Sequence, residues 1–118
     1  MGALRLYHNP RCSKSREALE LLKARRAALE VVEYLDAPLA KAELERLVRL
    51  VGGDPNLLLR RKDPKFKAAG LDSGKTYTAR EVVAILAEHG HLMERPIAVL
   101  GQRAAIGRPV ERVLELLE

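Results

Sequence analysis

"ALRLYHNPRCSKSREALELLKARRAALEVVEYL", residues 3–35, is the stretch on which the fold turns. Ala3 to His8 alternate well enough to form a short strand, and the Asn9-Pro10 pair is a turn signal that stops it. From Ser13 the pattern becomes helical, with Ala18, Leu21 and Leu22 as an inward stripe among charged residues. Leu29 to Leu35 returns to β-branched and apolar alternation, a second strand. Strand, helix and strand within about 30 residues is the span of a βαβ unit, which predicts parallel pairing and a right-handed crossover.

Working outward, Leu44, Leu47, Val48 and Val51 sit at i, i+3, i+4 and i+7 and predict a helix that stops at Gly52-Gly53. "DPNLLLRR" (54–61) and "DPKFKAAG" (63–70) each open with an Asp N-cap and a proline at the first helical position, so two short helices are expected. Thr78 and Glu81 have capping-box spacing ahead of an apolar stripe that ends at Gly90. "RPIAVL" (95–100) and "RAAI" (103–106), joined by Gly101-Gln102, read as a hairpin. "RPVERVLELLE" (108–118) reads as a closing helix with Val110, Val113, Leu114 and Leu117 inward. The order β-α-β, helices, β-β-α predicts an α/β, thioredoxin-like mixed sheet. The expectation is a single domain over residues 1–118 with a helical insertion at about 39–90.

Composition narrows the classes. A chain of 118 residues supports one hydrophobic core, and 47% apolar with 31% charged residues is the balance of a soluble globular protein. No apolar run approaches the roughly 20 residues of a membrane span, and the start lacks the apolar core of a secretory signal. A cytoplasmic monomer without a membrane partner is expected. The net charge of +5 favours anionic partners without separating nucleic acid from a small oxyanion. No Trp, one Phe and three Tyr make a poor base-stacking platform, and the basic "RRKDPKFK" (60–67) has no reader motif beside it. Nucleic acid is therefore not expected as a partner.

The single cysteine, Cys12, cannot form an internal disulfide, which fits a reducing compartment. A free thiol ionises near about 8.5, and a helix N-terminus with nearby cations lowers that value. Cys12 is predicted to have both: it enters the first helix, Arg11, Lys14 and Arg16 flank it, and His8 ends the preceding strand. Ser13 and Ser15 add hydroxyls able to reach a thiolate. The competing reading is an inert small hydrophobe among solvated charges. Against it stand the strand-to-helix turn and cations in a first turn where the helix dipole would prefer acids. The spacing C-x-x-S allows a mixed adduct but no internal resolution, so any redox cycle must take a thiol from outside.

Four blocks in order, "LYHNPRCSKSR" (6–16), "LLLRRK" (57–62), "ERPIAVL" (94–100) and "IGRPVERVLELL" (106–117), resemble the glutaredoxin-coupled arsenate reductases and their close relatives over nearly the whole chain. The resemblance implies an oxidoreductase of arsenic detoxification in which redox-active Cys12 attacks arsenate, His8 assists, and Ser15 helps to ionise the thiol. It implies Arg60, Arg95 and Arg108 as oxyanion binders and Pro96 as a structural, cis proline facing the cysteine. It further implies no bound cofactor, with glutathione and glutaredoxin or an equivalent thiol donor as reductant. Spacing alone does not separate Arg60 from Arg61 or from a solvated charge run; the resemblance assigns Arg60. The same blocks occur in Spx-like regulators that bind RNA polymerase, and a general thiol–disulfide oxidoreductase is a further alternative.

Two other signals are weak. "GLDSGKT" (70–76) has three residues between its glycines where a Walker A loop needs four, so a plain loop is expected. His89 and His91 flank Gly90 with no cysteine or carboxylate partners in pattern, and no metal site is expected.

Overall fold

The computed structural model describes residues 3–118, which fall into two compact units. One combines the residues up to Ala37 with Arg95–Glu118; the other is Pro38–Glu94.

The first unit is built on a four-stranded sheet. Its strands are β1 (Leu4–Tyr7), β2 (Leu29–Val32), β3 (Ile97–Leu100) and β4 (Arg103–Ile106), in the order β2-β1-β3-β4. β1 pairs parallel with β2, Leu4 opposite Leu29 and Tyr7 opposite Val32, and antiparallel with β3, Leu6 opposite Ala98. β3 and β4 form the expected hairpin, with Gly101 at φ +61 ahead of Gln102. That first central position with positive φ is the type II′ pattern, which suits the twist of a hairpin. The mixed α/β sheet agrees with the thioredoxin-like arrangement read from the sequence.

Helix α1 (Ser13–Ala24) and a closing 3-10 helix (Val110–Leu117) cover one face of this sheet. Leu4 and Leu6, two apart on β1, point to the same side and meet Ala18 and Leu22 of α1, Ala98 of β3, and Val110, Val113 and Leu116. Truncating a leucine as enclosed as Leu22 typically costs about 2–5 kcal/mol. α1 ends in a Schellman motif: the Ala27 N–H reaches the Leu22 carbonyl and the Arg26 N–H the Lys23 carbonyl, with Arg26 at φ +56.

Two expectations need correction here. The second strand stops at Val32, because the Asp36 and Ala37 N–H groups turn back onto the Glu33 carbonyl. The closing helix has 3-10 pitch, and its buried stripe is Val110, Val113 and Leu116. Three residues per turn stack every third side chain, so Leu114 and Leu117 become half-buried flanks.

The second unit holds α2 (Lys41–Val51), α3 (Pro64–Ala68) and α4 (Ala79–Glu88), with 3-10 turns at Pro55–Leu58 and Gly90–Leu92. Asp54 and Asp63 cap their short helices by accepting the Asn56 and Lys65 N–H groups. Thr78 and Glu81 complete the capping box of α4 in both directions. Buried Asn56 ties the loops together: its amide donates to the Tyr77 carbonyl and accepts the Tyr77 N–H. No helix among the described residues is long and apolar enough to cross a membrane.

Candidate active site at the start of α1

The turn from β1 into α1 is held by Asn9. Its carbonyl accepts the Cys12 N–H at 3.0 Å, its side-chain oxygen accepts the Arg11 N–H at 3.0 Å, and its own N–H donates to Ser15 Oγ at 3.0 Å. Arg16 adds a hydrogen bond from its guanidinium to the Pro10 carbonyl. These contacts leave Cys12 extended, at φ −95 and ψ 122, as the N-cap of α1; its carbonyl accepts the Arg16 N–H, the first bond of the helix. The thiol is free and half-buried.

A side chain at the N-cap normally offers an oxygen to the N–H groups two and three residues on. Cys12 offers sulfur. It makes no capping hydrogen bond as a neutral thiol, yet its surroundings favour the thiolate. Burial pushes the thiol's pKa up; the Ser15 backbone N–H, the Arg95 guanidinium and the Lys14 backbone N–H outweigh burial and bring it below its ordinary value. Arg108 Nη2 lies 3.8 Å from Cys12 Sγ, a long contact that still places positive charge on the sulfur. The first turn of α1 carries no acid to oppose this field.

Arg95 and Arg108 are coupled. Arg108 Nε donates to the Arg95 carbonyl at 3.0 Å. Each arginine precedes a proline through a cis peptide, Arg95–Pro96 and Arg108–Pro109. Pro96 is buried, and its carbonyl accepts the Gly107 N–H.

His8 and Ser15 lie behind the thiol. His8 is buried at the end of β1, its Nδ1 2.7 Å from Ser15 Oγ. Burial holds the imidazole below its ordinary pKa; Glu33 opposes this, and Arg16 and Lys23 reinforce it. The Ser15 hydroxyl is thus committed to His8 and Asn9, and Ser15 meets the sulfur through its backbone.

Arg60 belongs to the second unit. Its Nη1 lies 3.0 Å from Glu94 and its Nε 3.5 Å from Asp63, so two carboxylates already balance it. Arg61 is a strut, donating to the Ser73 carbonyl and to the Asn56 side-chain oxygen. Around "GLDSGKT", Asp72 accepts the Gly74 and Lys75 N–H groups and Lys75 pairs with Glu81, which occupies the loop with its own closure. Among the described residues, no group of three or more His, Cys, Asp or Glu is placed to hold a metal ion.

Sequence reading did not single out Asn9 or Gly107. Asn-Pro signals a turn, and Asx geometry was the available hint for the first. Nothing local marks the second.

The model of the ArsC family matches residues 7–116, which includes every side chain of this site. This chain belongs to the ArsC family. Within it, the chain is 42% identical to the arsenate reductase of Neisseria meningitidis over 118 residues, covering 99% of this chain and 100% of that protein. It is 32% identical to the arsenate reductase of Escherichia coli, covering 99% of this chain and 82% of that one. The solved structure of an arsenate reductase from Vibrio cholerae superposes with a TM-score of 0.86 at 37% identity, covering 96% of each chain.

Proposed function

We propose that this chain is an arsenate reductase in which Cys12 is the nucleophile and an external thiol is the reductant. The observation that carries this reading is the sulfur itself: half-buried at a helix N-terminus, with the Arg95 and Arg108 guanidiniums on it. That field favours the thiolate and an oxyanion in the same place.

In the proposed cycle the Cys12 thiolate attacks arsenic(V) and forms a sulfur–arsenic bond, while one oxygen takes up protons and leaves as water. Arg95 and Arg108 neutralise charge on the remaining oxygens; planar, permanently charged forks suit tetrahedral oxyanions. Glutathione adds to the arsenic with loss of a second water. A glutaredoxin thiol then attacks the glutathione sulfur, and the arsenic–sulfur electron pair reduces arsenic to the trivalent state. Hydrolysis frees arsenite and Cys12, so two external thiols end as one disulfide. The single cysteine supports an external donor, because the chain has no second thiol to close a disulfide.

The test is a coupled assay: arsenate-dependent NADPH oxidation with glutathione, glutaredoxin and glutathione reductase. The expected result is turnover that Cys12→Ser abolishes. No arsenate dependence, or a rate indifferent to Cys12→Ser, sinks the proposal.

A further inference from the structure

Gly107 sits between β4 and the closing helix, immediately before Arg108. Its N–H donates to the Pro96 carbonyl at 2.8 Å, and the Arg108 N–H donates to the Ile106 carbonyl at 2.8 Å. The second bond closes a three-residue turn with Gly107 at its centre. The backbone angle there does not demand glycine, since φ lies outside the left-handed region.

Space demands it. A Cβ on Gly107 would stand 2.6 Å from Pro96 Cγ, 3.2 Å from Pro96 Cδ and 3.1 Å from Val113 Cγ1. Pro96 is buried and its ring is closed onto its own backbone, so it cannot rotate aside. Val113 is fully enclosed in the core under the sheet. Any side chain at 107 must therefore move the turn, the Pro96 segment, or both.

Both carry guanidiniums of the site. Arg95 is bonded to Pro96, and Arg108 follows Gly107. Arg108 Nε also spans the gap to the Arg95 carbonyl at 3.0 Å while its Nη2 points to Cys12. We infer that Gly107 is a positioning residue: its missing side chain lets the turn close on Pro96, and that closure aims Arg95 and Arg108 at the Cys12 sulfur. The inference rests on Cys12 being the nucleophile, but it concerns ionisation of the thiol and not the arsenate chemistry.

The experiment is the pH dependence of Cys12 alkylation by iodoacetamide, read without arsenate. Gly107→Ala, checked for folding by circular dichroism, is expected to raise the midpoint by on the order of one unit towards that of a free thiol. A folded variant with an unmoved midpoint overturns the inference, because a purely structural glycine changes stability and leaves the thiol alone. Should Gly107→Ala fail to fold, Arg108→Lys decides. It adds no atom to the turn and keeps a positive charge, but loses both the Nε that anchors to Arg95 and the Nη2 that meets Cys12. A rise of the midpoint supports the aiming of Arg108 at the sulfur, and an unmoved midpoint overturns it. The two readings fail separately: wild-type protein that never turns over arsenate sinks the proposed function while the alkylation midpoint still reports on Gly107. Turnover with unmoved midpoints sinks only the role of Gly107.

Discussion

Ser15 Oγ lies 2.7 Å from His8 Nδ1 with both residues closed to solvent, so the serine of C-x-x-S directs its oxygen away from the thiol. The same oxygen accepts the Asn9 N–H, and the Asn9 carbonyl in turn holds the Cys12 N–H. Ser15→Ala removes that acceptor and leaves buried polar groups of His8 and Asn9 unsatisfied. Each such group costs about 1–3 kcal/mol. The variant is expected to lose stability on that scale in urea unfolding. Its backbone N–H persists, so Cys12 should still ionise below the ordinary thiol range. A stable variant with a fully normal thiol would show that the hydroxyl acts on sulfur directly.

Stability should depend on pH through two groups with separate windows. Folding lowers the Cys12 pKa, so the unfolded chain keeps its proton to higher pH. Stability from this group grows as pH rises from the folded value to the ordinary thiol value and is lost on acidification through the folded value. Folding also lowers the His8 pKa, burial being the chief cause. The unfolded imidazole takes a proton near 6.5 while the folded one resists, so stability falls as pH drops below that point. Urea midpoints measured across pH should show both slopes. Cys12→Ser should flatten the alkaline one, and His8→Gln the acidic one; slopes that survive these changes would assign the titration elsewhere.

Arg95 contributes to the thiolate by hydrogen bond and by charge, which makes it the side chain of greatest electrostatic weight at the sulfur. Arg95→Gln is expected to raise the alkylation midpoint of Cys12. It should also reduce kcat/KM for arsenate by about 100-fold or more, the usual scale for removing one charged donor from a developing anion. An effect on KM alone, with the midpoint unmoved, would make Arg95 a substrate clamp without influence on the nucleophile.

Much of the sheet unit was readable because its signals are local. Leu4 and Leu6 alternate, Ala18 and Leu22 recur at helical spacing, and Asn9-Pro10 punctuates them; the parallel β1–β2 pairing follows from that order. The closing segment was misread in pitch, since Val110, Val113, Leu114 and Leu117 satisfy a 3.6-residue period while the fold selects Leu116 with three-residue spacing. The thiol at the N-cap was legible from the turn and the cations. Its field was less so, because Arg95 and Arg108 lie far along the chain and only the family resemblance pointed to them. Gly107 was invisible, since its constraint is a contact with the Pro96 ring. The Ser15 hydroxyl, expected to face the thiolate, is taken by His8, which lies outside α1, so helical periodicity does not encode the pairing.

Arg60 provides the sharpest test of the oxyanion assignment. Its side chain is 23% exposed and its guanidinium is paired with Glu94 at 3.0 Å and Asp63 at 3.5 Å. A guanidinium so balanced has less attraction to spare for an incoming anion, and an arsenate oxygen would compete with these carboxylates. If Arg60 binds substrate, Glu94→Gln should free it and lower KM for arsenate several-fold, while Arg60→Gln should raise KM. If Arg60 only braces its own unit, both changes should lower the urea midpoint and leave KM where it was. In that case the role belongs to Arg95 and Arg108 alone. A double substitution separates the two cases further: in an Arg60→Gln background, Glu94→Gln has no guanidinium to release and should leave KM unchanged. A drop in KM in that background would mean that Glu94 repels arsenate by its own charge.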